Sequence, residues 1–165
     1  MKKQDYSTTM LVDKTPQQVY EAINNVRGWW SENVDGSPEK LDNEWLYWYK
    51  DIHRTMLKTI ELVPGKKVVW DVKDNFFNFT KDKTEWKDDK IVFEIAPKDG
   101  KTELRFSHQG LAPHYECFNV CTDAWTHYIQ DSLRSLIETG TGKPTVQDVQ
   151  DHNMELIEKW KLEMQ

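Results

Sequence analysis

The sequence predicts an α+β domain in which an antiparallel sheet of about six to seven strands packs against one long helix near the C-terminus. Alternating runs of apolar and polar residues fill the middle of the chain, and short turns such as Pro64-Gly65 join them, which favours antiparallel hairpins. From Tyr115 to Glu138 the apolar residues recur every three or four positions, as in an amphipathic helix. Because such a sheet has one face to bury, this helix is expected to cover it.

The first 30 residues predict a strand followed by two short helices. Residues 6–12 alternate, which indicates a strand with one apolar face. Thr15 can cap the next helix, Pro16 suits its first position and Gln18 completes a capping box. A second short helical or irregular segment is expected to begin at Trp29.

The central strands are predicted from alternation bounded by turn residues. In one of them Met56, Ile60 and Leu62 are expected to share one face. The predicted strands cover residues 44–49, 54–62, 67–72, 85–96 and 102–108.

Glycine and proline mark the end of the long helix. Gly140 or Gly142 is the expected stop, and Pro144 follows. Apolar residues between Val146 and Met164 predict a further amphipathic helix. We therefore expect one domain over residues 1–144 and a helical extension over residues 145–165.

Composition excludes several classes of function. The net charge is −6, from 22 basic and 28 acidic residues that are interspersed along the chain, so nucleic acid is not an expected partner. No apolar run has the length of a signal peptide or a membrane span, so a cytoplasmic protein is expected. No P-loop, GxGxxG, HExxH or GxSxG motif occurs, and we expect neither cofactor, metal nor catalytic set.

The two cysteines, Cys117 and Cys121, are too few for a disulfide scaffold. Their spacing places them on one face of the predicted helix, near the upper limit of disulfide geometry. A metal site would need more soft ligands nearby. Two small buried side chains are therefore the expected outcome.

Five segments carry a resemblance to a known family. They are TPQQVYEAINNVRGWWSENVDG, VVWDV, IVFEI, TELRFSHQGL and AWTHYIQDSLRSLIETGTGKP. With the order of elements, they resemble the helix-grip superfamily of START and Bet v 1-like proteins, and within it the bacterial proteins related to the C-terminal domain of the activator of Hsp90 ATPase. The resemblance implies a curved sheet that grips the C-terminal helix, often around a cavity for lipids or polyketides, and it implies no shared reaction.

Large side chains on the helix and strands are candidates to line such a cavity. The alternative is that they interdigitate into a filled core, and a void well below about 300 Å³ would exclude a drug-sized ligand. His108 is a donor to the ligand or, alternatively, a structural histidine bonded to backbone. The candidates are Trp29, Trp30, Trp48, Met56, Trp70, Phe77, Phe93, Phe106, His108, Phe118, Trp125, Tyr128 and Ile129.

These features predict non-enzymatic binding of a small apolar ligand, with Trp29, Trp30 and Phe77 at the mouth of the cavity. A co-chaperone-like interaction module is the second hypothesis, and an exposed apolar patch on the convex face of the sheet would favour it. Catalysis inside the cavity is the third, and a buried carboxylate or histidine with a strongly shifted pKa would favour that. The oligomeric state stays open.

Overall fold

The computed structural model describes residues 5–145. The predicted helix over Val146–Met164 lies outside the described residues. Seven antiparallel strands form one sheet in the order β1-β7-β6-β5-β4-β3-β2, which confirms the predicted α+β architecture. The strands are β1 Tyr6–Val12, β2 Val34–Asp35, β3 Glu44–Tyr49, β4 His53–Val63, β5 Lys67–Phe77, β6 Lys90–Lys98 and β7 Lys101–Gln109.

Two short helices follow β1, as predicted: α1 Pro16–Asn24 and α2 Val26–Trp29. The capping box is present, because Thr15 Oγ1 accepts from the Gln18 amide at 3.1 Å and Gln18 Oε1 accepts from the Thr15 amide at 3.0 Å. These bonds satisfy backbone donors that the first helical turn leaves unpaired.

The long C-terminal helix spans residues 118–139 and is continuous but not uniform. It consists of α3 Phe118–Thr126, a π-helical stretch His127–Leu133 and α4 Arg134–Thr139. Gly140 ends it in the left-handed conformation, with φ at +86°, where a side chain would be strained. The predicted helix is confirmed, and its start lies three residues later than expected.

The helix covers one edge of the sheet as well as one face. Gln130 Nε2 donates to the Thr9 carbonyl at 3.0 Å, and Arg134 Nη1 donates to the Leu11 carbonyl at 3.4 Å. Both carbonyls belong to β1, the edge strand. Side chains of the helix therefore occupy acceptors through which an exposed edge would recruit another chain.

The segment after the helix packs flat against α2. Ser132 Oγ donates to the Trp29 carbonyl at 2.6 Å and accepts from the Lys143 amide at 2.7 Å. A side chain at Gly142 would lie 2.1 Å from the Gly28 carbonyl oxygen, so two backbones meet here where only glycine fits. Thr145, at the end of this segment, forms an isolated β-bridge with Ser31.

The prediction that Met56 shares one face of β4 with Ile60 and Leu62 is wrong. Leu57, together with Thr55 and Thr59, points into the core, while Met56 is half-buried on the outer face beside Leu46. A β-bulge between Thr59 and Glu61 shifts the alternation, so the apolar residues at 56 and 62 do not share one face.

Hydrogen bonds explain why threonines replace apolar residues inside this strand. Thr59 Oγ1 donates to the Pro38 carbonyl at 2.8 Å and accepts from Trp45 Nε1 at 3.1 Å. Thr55 Oγ1 donates to the Asp74 carbonyl at 3.1 Å. Each buried hydroxyl is satisfied, which removes most of the penalty for burying it.

Two predicted strand boundaries are also wrong. β5 continues beyond residue 72 to Phe77, because β4 pairs with it as far as His53. β6 begins at Lys90, and residues 78–89 form a looped segment instead of the expected strand start at Glu85. Beyond Asp71, β5 no longer pairs with β6, and the loop fills the gap with the buried indole of Trp86.

A cluster of indoles occupies the space between sheet and helix. Trp30 lies at its centre, stacked on Tyr47 with ring centroids 4.2 Å apart and 5.2 Å from Trp125. Aromatic pairs at such separations add to the stabilisation from burial alone. The tryptophans of this cluster are Trp29, Trp30, Trp45, Trp70, Trp86 and Trp125.

Replacement of Trp30 is expected to be among the most destabilising single changes in this domain. Trp30→Ala should lower the free energy of unfolding by about 3–5 kcal/mol, because it removes a 2 % exposed indole and leaves a cavity. Trp48→Ala is the matched control, since Trp48 is half-buried on the outer face, and it should cost about 1 kcal/mol or less. Urea unfolding measures both, and equal losses would contradict this assignment of faces.

Candidate functional site

An apolar cleft opens between the first half of the C-terminal helix and the ends of β3, β4 and β5. Its volume is about 60 Å³. Roughly 10–15 Å³ of such space holds one water molecule, so the open space corresponds to a few water molecules. The lining residues are Trp30, Tyr47, Tyr49, Ile52, His53, Phe77, Phe79, Trp86, Val120, Cys121, Ala124, Trp125 and Tyr128.

One stripe of the helix forms a wall of the cleft. Val120, Ala124 and Tyr128 are four residues apart, so they lie above one another on the same helical face. Val120 and Ala124 are half-buried, and so is Phe79 on the opposite side. The cleft therefore meets solvent between this stripe and the loop after β5.

The deep end of the cleft is aromatic. Trp30 and Trp125 lie in contact, and Trp86 stacks on Trp125 with centroids 5.8 Å apart and an interplanar angle of 16°. Behind this layer Phe106 packs on Trp125 at 4.7 Å. The rings are held from both sides, so this end of the cleft is preformed.

His53 is the basic residue in the lining. Its ring lies 4.3 Å from Phe77, 4.7 Å from Trp86 and 5.2 Å from Tyr47, centroid to centroid. Burial lowers the pKa of His53 to about 3, although the hydrogen bond to Asn75 works in the opposite direction. The imidazole is therefore neutral at physiological pH.

A second histidine lies in a buried polar network behind the cleft. His108 Nε2 bonds Asp89 Oδ2 at 2.9 Å, and its Nδ1 accepts from Trp125 Nε1 at 3.0 Å. The Tyr115 hydroxyl donates to the same carboxylate at 2.9 Å. Because Nδ1 accepts, Nε2 carries the proton. Burial lowers the pKa of His108 below its ordinary value. This ring fixes Trp125 in place through side-chain partners, where the sequence suggested either a ligand or a backbone partner.

Two glutamates fasten the loop after β5 to the start of the helix. Glu85 accepts from the backbone amides of Glu116 at 2.5 Å and Cys117 at 3.1 Å. The Glu116 carboxylate accepts in turn from the amides of Lys81 at 3.0 Å and Asp82 at 2.9 Å. We call this arrangement the glutamate clasp. It ties residues 81–85 to the residues that precede the helix, next to the cleft-lining Trp86 in sequence.

The two cysteines are free and buried, as predicted. Burial raises the pKa of Cys117 well above its usual range, so its thiol stays protonated and is a poor nucleophile. Within residues 5–145 no three histidine, cysteine or carboxylate side chains are grouped to hold a metal ion.

Comparison with known proteins places the chain in a family. The model for "Activator of Hsp90 ATPase homolog 1-like protein" (AHSA1) matches residues 13–138. The chain belongs to the AHSA1 family. This confirms the resemblance that the sequence segments predicted. A comparison with curated proteins gave no match.

Solved structures share the AHSA1 fold at low identity. The Aha1 dimer from Colwellia psychrerythraea aligns with a TM-score of 0.68 and 19% identity, over 84% of this chain and 99% of that one. MLL2253 from Mesorhizobium loti aligns with a TM-score of 0.62 and 12% identity, over 81% and 96%. SSP2350 from Staphylococcus saprophyticus aligns with a TM-score of 0.62 and 13% identity, over 87% of this chain and 98% of that one.

In residues 5–145 no helix is long and apolar enough to cross a membrane.

The AHSA1 fold brings four of the sequence-predicted site residues together in the cleft: Trp30, Phe77, Trp125 and Tyr128. Phe118 is half-buried at the start of α3, and Trp48 and Met56 are on the outer face of the sheet. The other predicted residues are buried in the core outside the cleft lining. They are Trp29, Trp70, Phe93, Phe106, His108 and Ile129.

Sequence reasoning missed the strand wall of the cleft. Tyr47 and Tyr49 face inward with Trp45, and this aromatic alternation on β3 was the signal that could have found them. His53 and Trp86 carry no such signal, because a tight turn and a loop place them there. Their position depends on contacts between distant parts of the chain.

Acidification below pH 6.5 is expected to destabilise the fold because His53 is held neutral. A histidine in the unfolded chain titrates near pH 6.5, whereas His53 in the folded chain titrates near 3. The unfolded state therefore binds more protons between these values, and stability present above pH 6.5 is lost as the pH falls. Between pH 7 and pH 5, His53 should lower the free energy of unfolding by about 2 kcal/mol, as measured by urea unfolding.

Variants separate this contribution from others. His53→Phe should remove it, while His114→Phe, at an exposed histidine, should leave the pH dependence unchanged. Burial lowers the pKa of His108, which adds to the acid sensitivity, and raises the pKa of Glu85, which opposes it. Both groups are present in every protein compared. The same slope in wild type and His53→Phe would contradict the assignment.

Proposed function

We propose that this AHSA1-family protein binds a small, uncharged, largely apolar molecule in the cleft and does no chemistry on it. The observation that carries the proposal is the aromatic lining around open volume between the sheet and the helix. Family membership supports a ligand-binding or Aha1-like domain at the coarser level. Burial of apolar ligand surface would supply most of the binding free energy.

The size of the cleft limits the ligand. About 60 Å³ is far below the roughly 300–1,000 Å³ of pockets for drug-sized molecules. A cavity of about 150 Å³ can hold benzene, so even a single aromatic ring requires some movement of the lining. A larger ligand requires more movement, for example of the half-buried Phe79 in the lining.

The charge of the lining also limits the ligand. The described lining residues include no aspartate, glutamate, lysine or arginine, and His53 is neutral. A charged ligand would lose its hydration without gaining an opposite charge. The same composition lacks the paired carboxylates that general acid–base catalysis commonly uses.

Filling the mouth of the cleft is expected to weaken binding strongly. Ala124→Phe places a ring in the cleft from the helix side, so the affinity for toluene or indole should fall at least tenfold. Ala96→Phe is the matched control, because Ala96 is exposed on β6, and it should bind like wild type. Titration calorimetry measures both, with thermal melting as a check on folding. Saturable binding that survives Ala124→Phe, or none in wild type, would refute the proposal.

An outer apolar patch favours a second candidate function, protein interaction. We define the patch as Leu46, Trp48, Met56 and Phe76, which lie on adjacent strands of the outer face, with Arg54 paired between Trp48 and Phe76. Phe76 is 39 % exposed and the others are half-buried. An exposed apolar patch of this kind is typical of interaction sites. The patch and the cleft lie on opposite faces, so the two functions can be tested separately.

A co-chaperone-like role can be measured as stimulation of ATP hydrolysis by the Hsp90 of the host. Stimulation should be lost in Phe76→Ser, because a polar side chain removes an exposed contact of the patch. Leu11→Ser, at a comparably exposed leucine on β1, should retain it. Absence of stimulation by wild type would eliminate this candidate and leave the binding proposal intact.

A further inference from the structure

We propose that His53 selects for ligands that carry a hydrogen-bond donor, so that the preferred occupant of the cleft is a phenol-like molecule and not a hydrocarbon or an ether. This inference rests on the binding function proposed above. It adds the chemical class of the ligand and a residue that determines specificity. Its basis is the position, packing and hydrogen bonding of one side chain.

The position of His53 is set by the strands. It is the first residue of β4, paired with Tyr49 on β3 and with Phe77 on β5. Both partners line the cleft, so the imidazole lies in the same wall. The rings of Tyr47, Phe77 and Trp86 surround it, and this packing restricts its rotamer.

A hydrogen bond on one side of the ring fixes its tautomer. Nε2 lies 2.9 Å from Oδ1 of Asn75, a residue that is 3 % exposed. With the Asn75 amide oriented so that its oxygen faces the ring, Nε2 carries the proton and donates. Nδ1 is then an acceptor with a lone pair, and no described residue donates to it.

The chemistry of this acceptor limits what it can bind. Because burial keeps the ring neutral, Nδ1 offers a lone pair and no positive charge. A neutral O–H or N–H group on the ligand can donate to it, while an ether oxygen cannot. A site built with one directional acceptor in an apolar wall discriminates against ligands that leave the acceptor unpaired.

The test compares two isomeric ligands that differ in donor capacity. p-Cresol carries a hydroxyl group, and anisole has the same atoms with a methyl ether. Titration calorimetry with the full chain gives the affinity of each for wild type and for His53→Phe, which keeps an aromatic ring in place. We expect His53→Phe to weaken p-cresol about tenfold and to change anisole by less than about threefold. His114→Phe, at an exposed histidine, should change neither.

A second variant distinguishes loss of the hydrogen-bond acceptor from a general loss of packing. His53→Gln keeps an acceptor oxygen, and it should recover part of the p-cresol affinity that His53→Phe loses. If both ligands bind and His53→Phe weakens them equally or not at all, the inference is overturned while the binding function stands. If neither ligand nor toluene binds wild type, the proposed function fails and the inference fails with it.

Discussion

The packing of Trp30 between the sheet and the C-terminal helix is the contact on which the rest of the fold depends. This indole touches α2, β3, β5 and the helix through Trp29, Tyr47, Trp70 and Trp125. Large rigid rings bury much area at little entropic cost. They also do not fill space perfectly, and the cleft lies at the margin of this cluster, where Trp30 and Trp125 become lining residues.

The cleft exists because the sheet divides. Once β5 passes Asp71 it pairs with β4 alone, and the loop of residues 78–89 fills the gap. Trp86 anchors that loop in the core, and the glutamate clasp fastens its outer side to the helix start. The deep end of the cleft is therefore held by packing, while surface hydrogen bonds hold the outer side of the loop. Such bonds can open at lower cost than the core.

The two histidines of the interior, His108 and His53, have different roles. His108 has both ring nitrogens engaged, by Asp89 and by Trp125, and it holds an aromatic wall in place. His53 has one engaged nitrogen and faces the cleft. The sequence singled out His108 because it alternates with Leu104 and Phe106 on a strand. It gave no reason to choose His53, which follows a turn beside charged residues.

Local patterns determined much of this protein. The capping box at Thr15, the stop at Gly140 and the long helical period each depend on neighbours within a few residues, so they are written in the sequence. Tertiary structure alone decided the facing of Met56, the extension of β5 and the placement of His53 and Trp86. A bulge reverses alternation, and a loop takes its position from what it packs against. The cleft is therefore a product of long-range pairing, which no local periodicity records.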